Sequence, residues 1–143
     1  MGPIVCATRG GEASRRTQER AIALAQERGD PLVFLFVVDT DFIHPADEAL
    51  AQVLADELQR LGKRLLCIAQ TRAEEQGISA EMVVRHGGVR QAIEAFLHER
   101  GASALVLGAP GTGSEKKAFA PTELPEFARE INAHTGVEVI VVE

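Results

Sequence analysis

Tryptophan and tyrosine are absent, and Phe 6 supplies the whole aromatic content of the 143-residue chain, so any core it builds is aliphatic. No apolar run approaches the roughly 18 residues a membrane span needs. The start, MGPIVCAT, has neither a basic region nor a small-residue cleavage pattern, which leaves a cytosolic protein with no membrane insertion as the expectation. Excess positive charge is lacking too. Lys+Arg 15 against Asp+Glu 21 gives 15 − 21 = −6, a surface that repels nucleic acid and anionic membrane. Cysteine is limited to Cys6 and Cys67; without metal spacing, both read as reduced packing residues. Repeats, low-complexity tracts and linkers are missing, so residues 1–143 are expected to form one domain.

What is present is an alternation. Residues 4–8 are a short apolar run closed by Arg9-Gly10-Gly11, and residues 12–28 carry Ala13, Ala21, Ile22, Leu24 and Ala25 at helical spacing. Gly29-Asp30-Pro31 stops that helix. Residues 32–38, LVFLFVV, are continuously apolar without alternation, the mark of a strand buried on both faces in a parallel sheet. Residues 46–76 show Leu50, Val53, Leu54, Leu58, Leu61, Leu65 and Ile68 at spacings of three and four, so this stripe is the expected core face of a long helix. Residues 78–84 alternate as a weaker, edge-like strand, 89–100 read as a helix ended by Gly101, 102–107 as a strand, 123–134 as a helix and 137–142 as the last strand. The order βαβαβαβαβ predicts an α/β three-layer sandwich, a parallel sheet with helices on both faces. The expected core is Ile4, Val5, Ala7, Val33, Leu35, Val37, Leu105, Val106, Leu107, Val139 and Val141, with Ile22, Leu54, Leu58, Ile93 and Leu97 from the helices.

Function is expected where residues 104–122, ALVLGAPGTGSEKKAFAPT, pass from an apolar strand into glycine, small polar and lysine chemistry, because ligands of parallel sheets sit outside the carboxyl ends of strands. The P-loop pattern fails there for want of Gly-Lys-[Ser/Thr]. With GEAS at Gly11 to Ser14, VRHGGVRQAIEAF at Val84 to Phe96 and VLGAPG at Val106 to Gly111, the chain resembles the universal stress protein family almost end to end. The resemblance implies a five-stranded sheet of order 3-2-1-4-5, a homodimer joined through antiparallel last strands and, in a subset of members, ATP held by Gly-x-x-Gly, nine residues, then Gly-[Ser/Thr].

Carried over position by position, Gly108 and Gly111 match the first half of that motif and Thr122 its hydroxyl position, while Pro121 stands where the second glycine belongs. Thr8 matches the position before the family's nucleoside-contacting acid, which is Arg9 here, and Val38 ends the strand whose backbone holds the adenine. Ala7 and Leu107 flank these positions on their strands. Pro121 removes a backbone N–H where phosphate collects donors, and Glu123 competes with phosphate for the following helix's dipole. Arg9, Ser114, Lys116 and Lys117 offer anion contacts in return. The candidate ligand-binding set is therefore Ala7, Thr8, Arg9, Val38, Leu107, Gly108, Gly111, Ser114, Pro121, Thr122 and Glu123, with Val137, Val139 and Val141 as dimer contacts. His44, His86, His98 and His134 lack metal-site spacing, and no metal is predicted. No nucleophile and base stand together, so catalysis is not indicated. Three readings stay open: a regulatory domain holding ATP or another nucleotide or anion, a ligand-free dimeric adaptor for a protein partner, and a weak ATPase.

Overall fold

A computed structural model of the chain describes residues 2–8, 12–38, 48–108 and 124–142. Along them run β1 (Ile4–Ala7), α1 (Glu12–Arg28), β2 (Leu32–Val38), α2 (Glu48–Glu75), β3 (Ala80–His86), α3 (Val89–Arg100), β4 (Ala104–Gly108), α4 (Leu124–Thr135) and β5 (Glu138–Val142). The strands form one parallel sheet in the order β3-β2-β1-β4-β5. Strand residues of one parity pack on α1 and α2: Ile4, Cys6, Leu32, Phe34, Ala104 and Val106 meet Ala21, Ile22, Ala25, Leu66 and Ala69. The other parity, Val5, Val33, Leu35, Leu105 and Leu107, meets Ile93, Phe96 and Leu97 of α3 and Phe127 and Ile131 of α4. Alternation of side chains across each strand thus gives three layers, as the pattern of elements predicts.

Where chain signals are strong, the bounds agree with the sequence. β2, α1 and α3 begin and end as read. Gly101 takes φ 61 and closes α3, its N–H donating to His98 O while the Ala102 N–H donates to Leu97 O, a left-handed C-cap that glycine supplies without a Cβ penalty. The same device corrects two expectations. The Ala102 N–H is used in that cap, so β4 starts at Ala104 rather than 102. Likewise the Ile78 N–H donates to Ala73 O at the end of α2, so β3 starts at Ala80 and runs on to His86. As its alternation suggests, β3 lies at a sheet edge.

The largest correction concerns α2. Its buried residues are Gly62, Leu66, Ala69 and Ala73, whereas Leu54 and Leu58 are half-buried and Leu50, Val53, Leu61 and Ile68 are exposed. Small residues decide the rotation, because only glycine lets the helix backbone settle onto Phe36 of β2: a Cβ at Gly62 would fall among the Phe36 ring atoms. Four further core assignments change. Val141 is exposed and Val139 is half-buried because β5 is an edge strand, and Val37 and Ala7 near the carboxyl ends of β2 and β1 are half-buried. Cys67 is exposed on α2 rather than packed, while Cys6 is buried. Gly62→Ala is expected to lower stability by about 1–3 kcal/mol through overpacking against Phe36, despite alanine's better helix propensity. Urea unfolding measures it; an unchanged or raised midpoint would show that α2 is not seated on β2 through Gly62.

Candidate functional site

All five strands point the same way, so their carboxyl ends share one rim. The chain runs outward from β1 through β2 to β3, then returns to the other side of β1 as β4. The crevice of such a sheet lies at that reversal. Ala7 and Thr8 finish β1, Leu107 and Gly108 finish β4, and the ladder pairs Cys6 with Val106, which carries Thr8 and Gly108 to the rim side by side. Val38 ends β2 on the other side of β1; the Thr8 N–H donates to Leu35 O at 2.9 Å, and the Gly87 N–H donates to Val38 O at 3.1 Å. Arg9, Gly111, Ser114, Pro121, Thr122 and Glu123 lie outside the described residues.

Gly108 is explained by close approach rather than by an unusual dihedral. A Cβ there would meet Thr17 Oγ1 of α1 at 2.7 Å, so the glycine lets the end of β4 lie directly on the start of α1. Beneath this contact the core changes character. The buried polar side chains among the described residues are Thr8, Ser14, Thr17 and Gln18, all from the end of β1 and the first half of α1. Gln18 Nε2 donates to Thr8 Oγ1 at 2.9 Å, and Arg72 Nη1 of α2 donates to Gln18 Oε1 at 2.7 Å. Arginine has only donors, so it fixes which end of the Gln18 amide faces Thr8, and the Thr8 hydroxyl, already accepting, keeps its own proton to donate. Cys6 lies in the same layer; burial pushes its thiol up to about 12, leaving it protonated and inert.

Sequence reasoning finds Thr8 and Gly108 at the rim and misses Ser14, Thr17, Gln18 and Arg72 as a polar support. The signal was available: Ser14, Thr17 and Gln18 share the three-and-four spacing of Ala21 and Ala25, so polar residues occupy core positions of an amphipathic helix. Val137, expected at the dimer edge, precedes β5 and is buried with α4, so only Val139 and Val141 of that set lie on the edge strand. No group of His, Cys, Asp or Glu able to hold a metal occurs among the described residues.

The model of the universal stress protein family matches residues 1–143. The chain belongs to that family. Solved relatives share its fold across the whole length. The universal stress protein UspA from Lactobacillus plantarum is 23% identical with a TM-score of 0.81, covering 99% of this chain and 97% of the other. A universal stress protein in complex with cAMP is 22% identical with a TM-score of 0.71, over 99% and 97%. A third, from Archaeoglobus fulgidus in complex with dAMP, is 18% identical with a TM-score of 0.65, over 100% and 98%. No curated protein matches this chain. Within this universal stress protein the rim stands on buried hydrogen bonds, and they set its stability. Gln18→Leu leaves Arg72 and Thr8 facing an apolar group and is expected to cost about 1–3 kcal/mol. Adding Thr8→Val recovers part of the loss, read as a coupling energy in a double-mutant cycle of chemical unfolding; strict additivity would dissolve the proposed network.

Proposed function

We propose that this universal stress protein is a regulatory domain that holds a nucleotide at the β1/β4 rim and works as a homodimer paired through β5. The observation that carries the ligand reading is the cluster of Thr8, Ser14, Thr17 and Gln18 buried under the strand-order reversal, a polar floor in an otherwise apolar core where crevices of this fold take ligands. Two relatives of the same fold carry cAMP and dAMP, each with a single phosphate. That size suits the chain: Pro121 removes one backbone donor from the loop, and Arg9 adds a guanidinium able to grip one phosphate in two-pronged fashion. A triphosphate asks for more donors, so ATP is the weaker ligand of the series. The second reading, a ligand-free adaptor for a protein partner, is favoured by Glu123 at the loop's end, whose charge opposes phosphate there.

Calorimetry with cAMP, AMP, ADP and ATP, with and without Mg²⁺, separates the two. The nucleotide reading expects saturable binding by wild type, a loss of about tenfold or more in monophosphate affinity for Arg9→Asp, and improved ATP binding for Pro121→Gly. Heats of dilution alone from wild type and from both variants would leave only the adaptor. For the dimer, what supports the pairing is that β5 occupies the sheet edge, Val141 is 40% exposed and Val139 is half-buried, an apolar edge of the kind that joins copies. Sedimentation at micromolar protein is expected to give a twofold mass that Val141→Asp reduces; a monomer mass independent of concentration excludes it.

A further inference from the structure

The α2 stripe that the core does not use needs a partner. Leu50, Val53, Leu61 and Ile68 are 50%, 55%, 49% and 49% exposed, and they recur along one side of the helix over 19 positions, counted from 50 to 68, a ridge of about 27 Å at 1.5 Å per residue. Scattered exposed leucines mean little, but four large apolar side chains on one side of a single helix make a surface that a partner can cover. Its charges say what it recognises. Glu57 and Arg64 lie seven residues apart on the same ridge, with Val53 four before the first and Ile68 four after the second. Val53, Glu57, Arg64 and Ile68 thus run apolar, acid, base, apolar with spacings of four, seven and four, and these four positions read as their own complement when reversed, with Leu50 and Leu61 outside the pattern.

We propose that α2 pairs with α2 of a second copy, antiparallel, about a twofold axis between residues 60 and 61. Each pair of positions related by the axis sums to 121. Glu57 then faces Arg64 of the second copy twice over, Val53 faces its Ile68 twice over, Leu61 faces its Arg60 beside the axis, and Leu50 faces its Thr71. Such an interface is isologous, the same patch on both copies. In the single chain Glu57 pairs with Arg60 at 2.8 Å, but with side chains 62% and 70% exposed that bond is worth little, and redirecting Glu57 across the interface sacrifices almost nothing. The ridge alone is narrow: at a helix width of about 10 Å it covers roughly 270 Å² per copy, below the roughly 800 Å² of a standard interface. The α2 contact is therefore a weak one that adds to another interface. It lies apart from the β5 edge, so both together build assemblies larger than two.

The test uses the full chain carrying Val141→Asp, so that association through β5 does not mask the result. Val53→Cys puts a thiol beside the position of Cys67 in the second copy; native Cys67 is exposed and Cys6 is buried and inert. Mild oxidation is expected to yield a covalent dimer with Val53→Cys and not with Gln52→Cys, which lies on the polar side of the helix. Charge reversal gives an independent reading. Glu57→Arg alone and Arg64→Glu alone each cut the cross-linked yield several-fold, while the two together restore it, because the swapped pairs match again across the twofold. A heterologous protein partner would not be rescued by that swap. Equal cross-linking at positions 52 and 53, or failure of the double swap to recover the yield, overturns the proposal. Should Val141→Asp not fold, the same cysteine and charge series in the wild-type chain gives the answer through peptide mapping of the 53–67 disulfide.

Discussion

Everything at the rim depends on β1 being paired on both sides. Four residues long, it is hydrogen-bonded to β2 through Leu32 to Leu35 and to β4 through Ala104 to Val106, with Ile4, Val5 and Cys6 buried in both layers. A central parallel strand has no freedom to slip, because a shift of one residue would send Cys6 to the α3 face and Val5 to the α1 face. That fixed register delivers Thr8 to the rim beside Gly108 and commits its side chain to the α1 layer, where Gln18 receives it.

The floor of buried polar groups is costly unless every member is bonded. No buried side-chain nitrogen or oxygen among the described residues lacks a hydrogen-bond partner, and the Arg72–Gln18–Thr8 chain shows how this is achieved: a cation at the protein surface terminates a run of neutral bonds leading inward. An apolar trio would fill the same volume more cheaply. The retention of polar groups at this one place, in a core otherwise built of Val, Ile, Leu, Ala and Phe, is what separates a site from a packing solution. Gly108 belongs to the same construction. Its close approach to Thr17 ties the end of β4 to α1.

Much of this was legible in the residues. The apolar run of β2 and the glycine stops after α1, α2 and α3 each have a local physical cause, and local causes can be read from neighbours in sequence. What resisted reading was set by contacts between distant elements. Helix α2 offers two apolar arcs, one of leucine, valine and isoleucine and one of Gly62, Leu66, Ala69 and Ala73. Hydrophobicity alone selects the first arc, but close packing selects the second, because Phe36 occupies the space that larger side chains would need. Strand β3 starts two residues later than alternation predicts for a similar reason: the Ile78 N–H is claimed by a helix carbonyl, a bond invisible to alternation. At the site, Thr8 and Gly108 were found through their place at strand ends, whereas Gln18 and Arg72 are 54 residues apart and meet only in the fold.

The mismatch on α2 has a consequence beyond registration. If small residues seat the helix, the large ones beside them are not needed to fill the core, and they are left exposed. Arg60, Lys63 and Arg64 show that charge is tolerated on this helix between the apolar positions. Leu50, Val53, Leu61 and Ile68 lie on the side of α2 turned away from the core, and they are the surface that the proposed α2 pairing would cover. A helix seated by glycine is thereby freed to present its larger residues outward, so the same contact that rotates α2 onto β2 also turns Leu50, Val53, Leu61 and Ile68 away from the core.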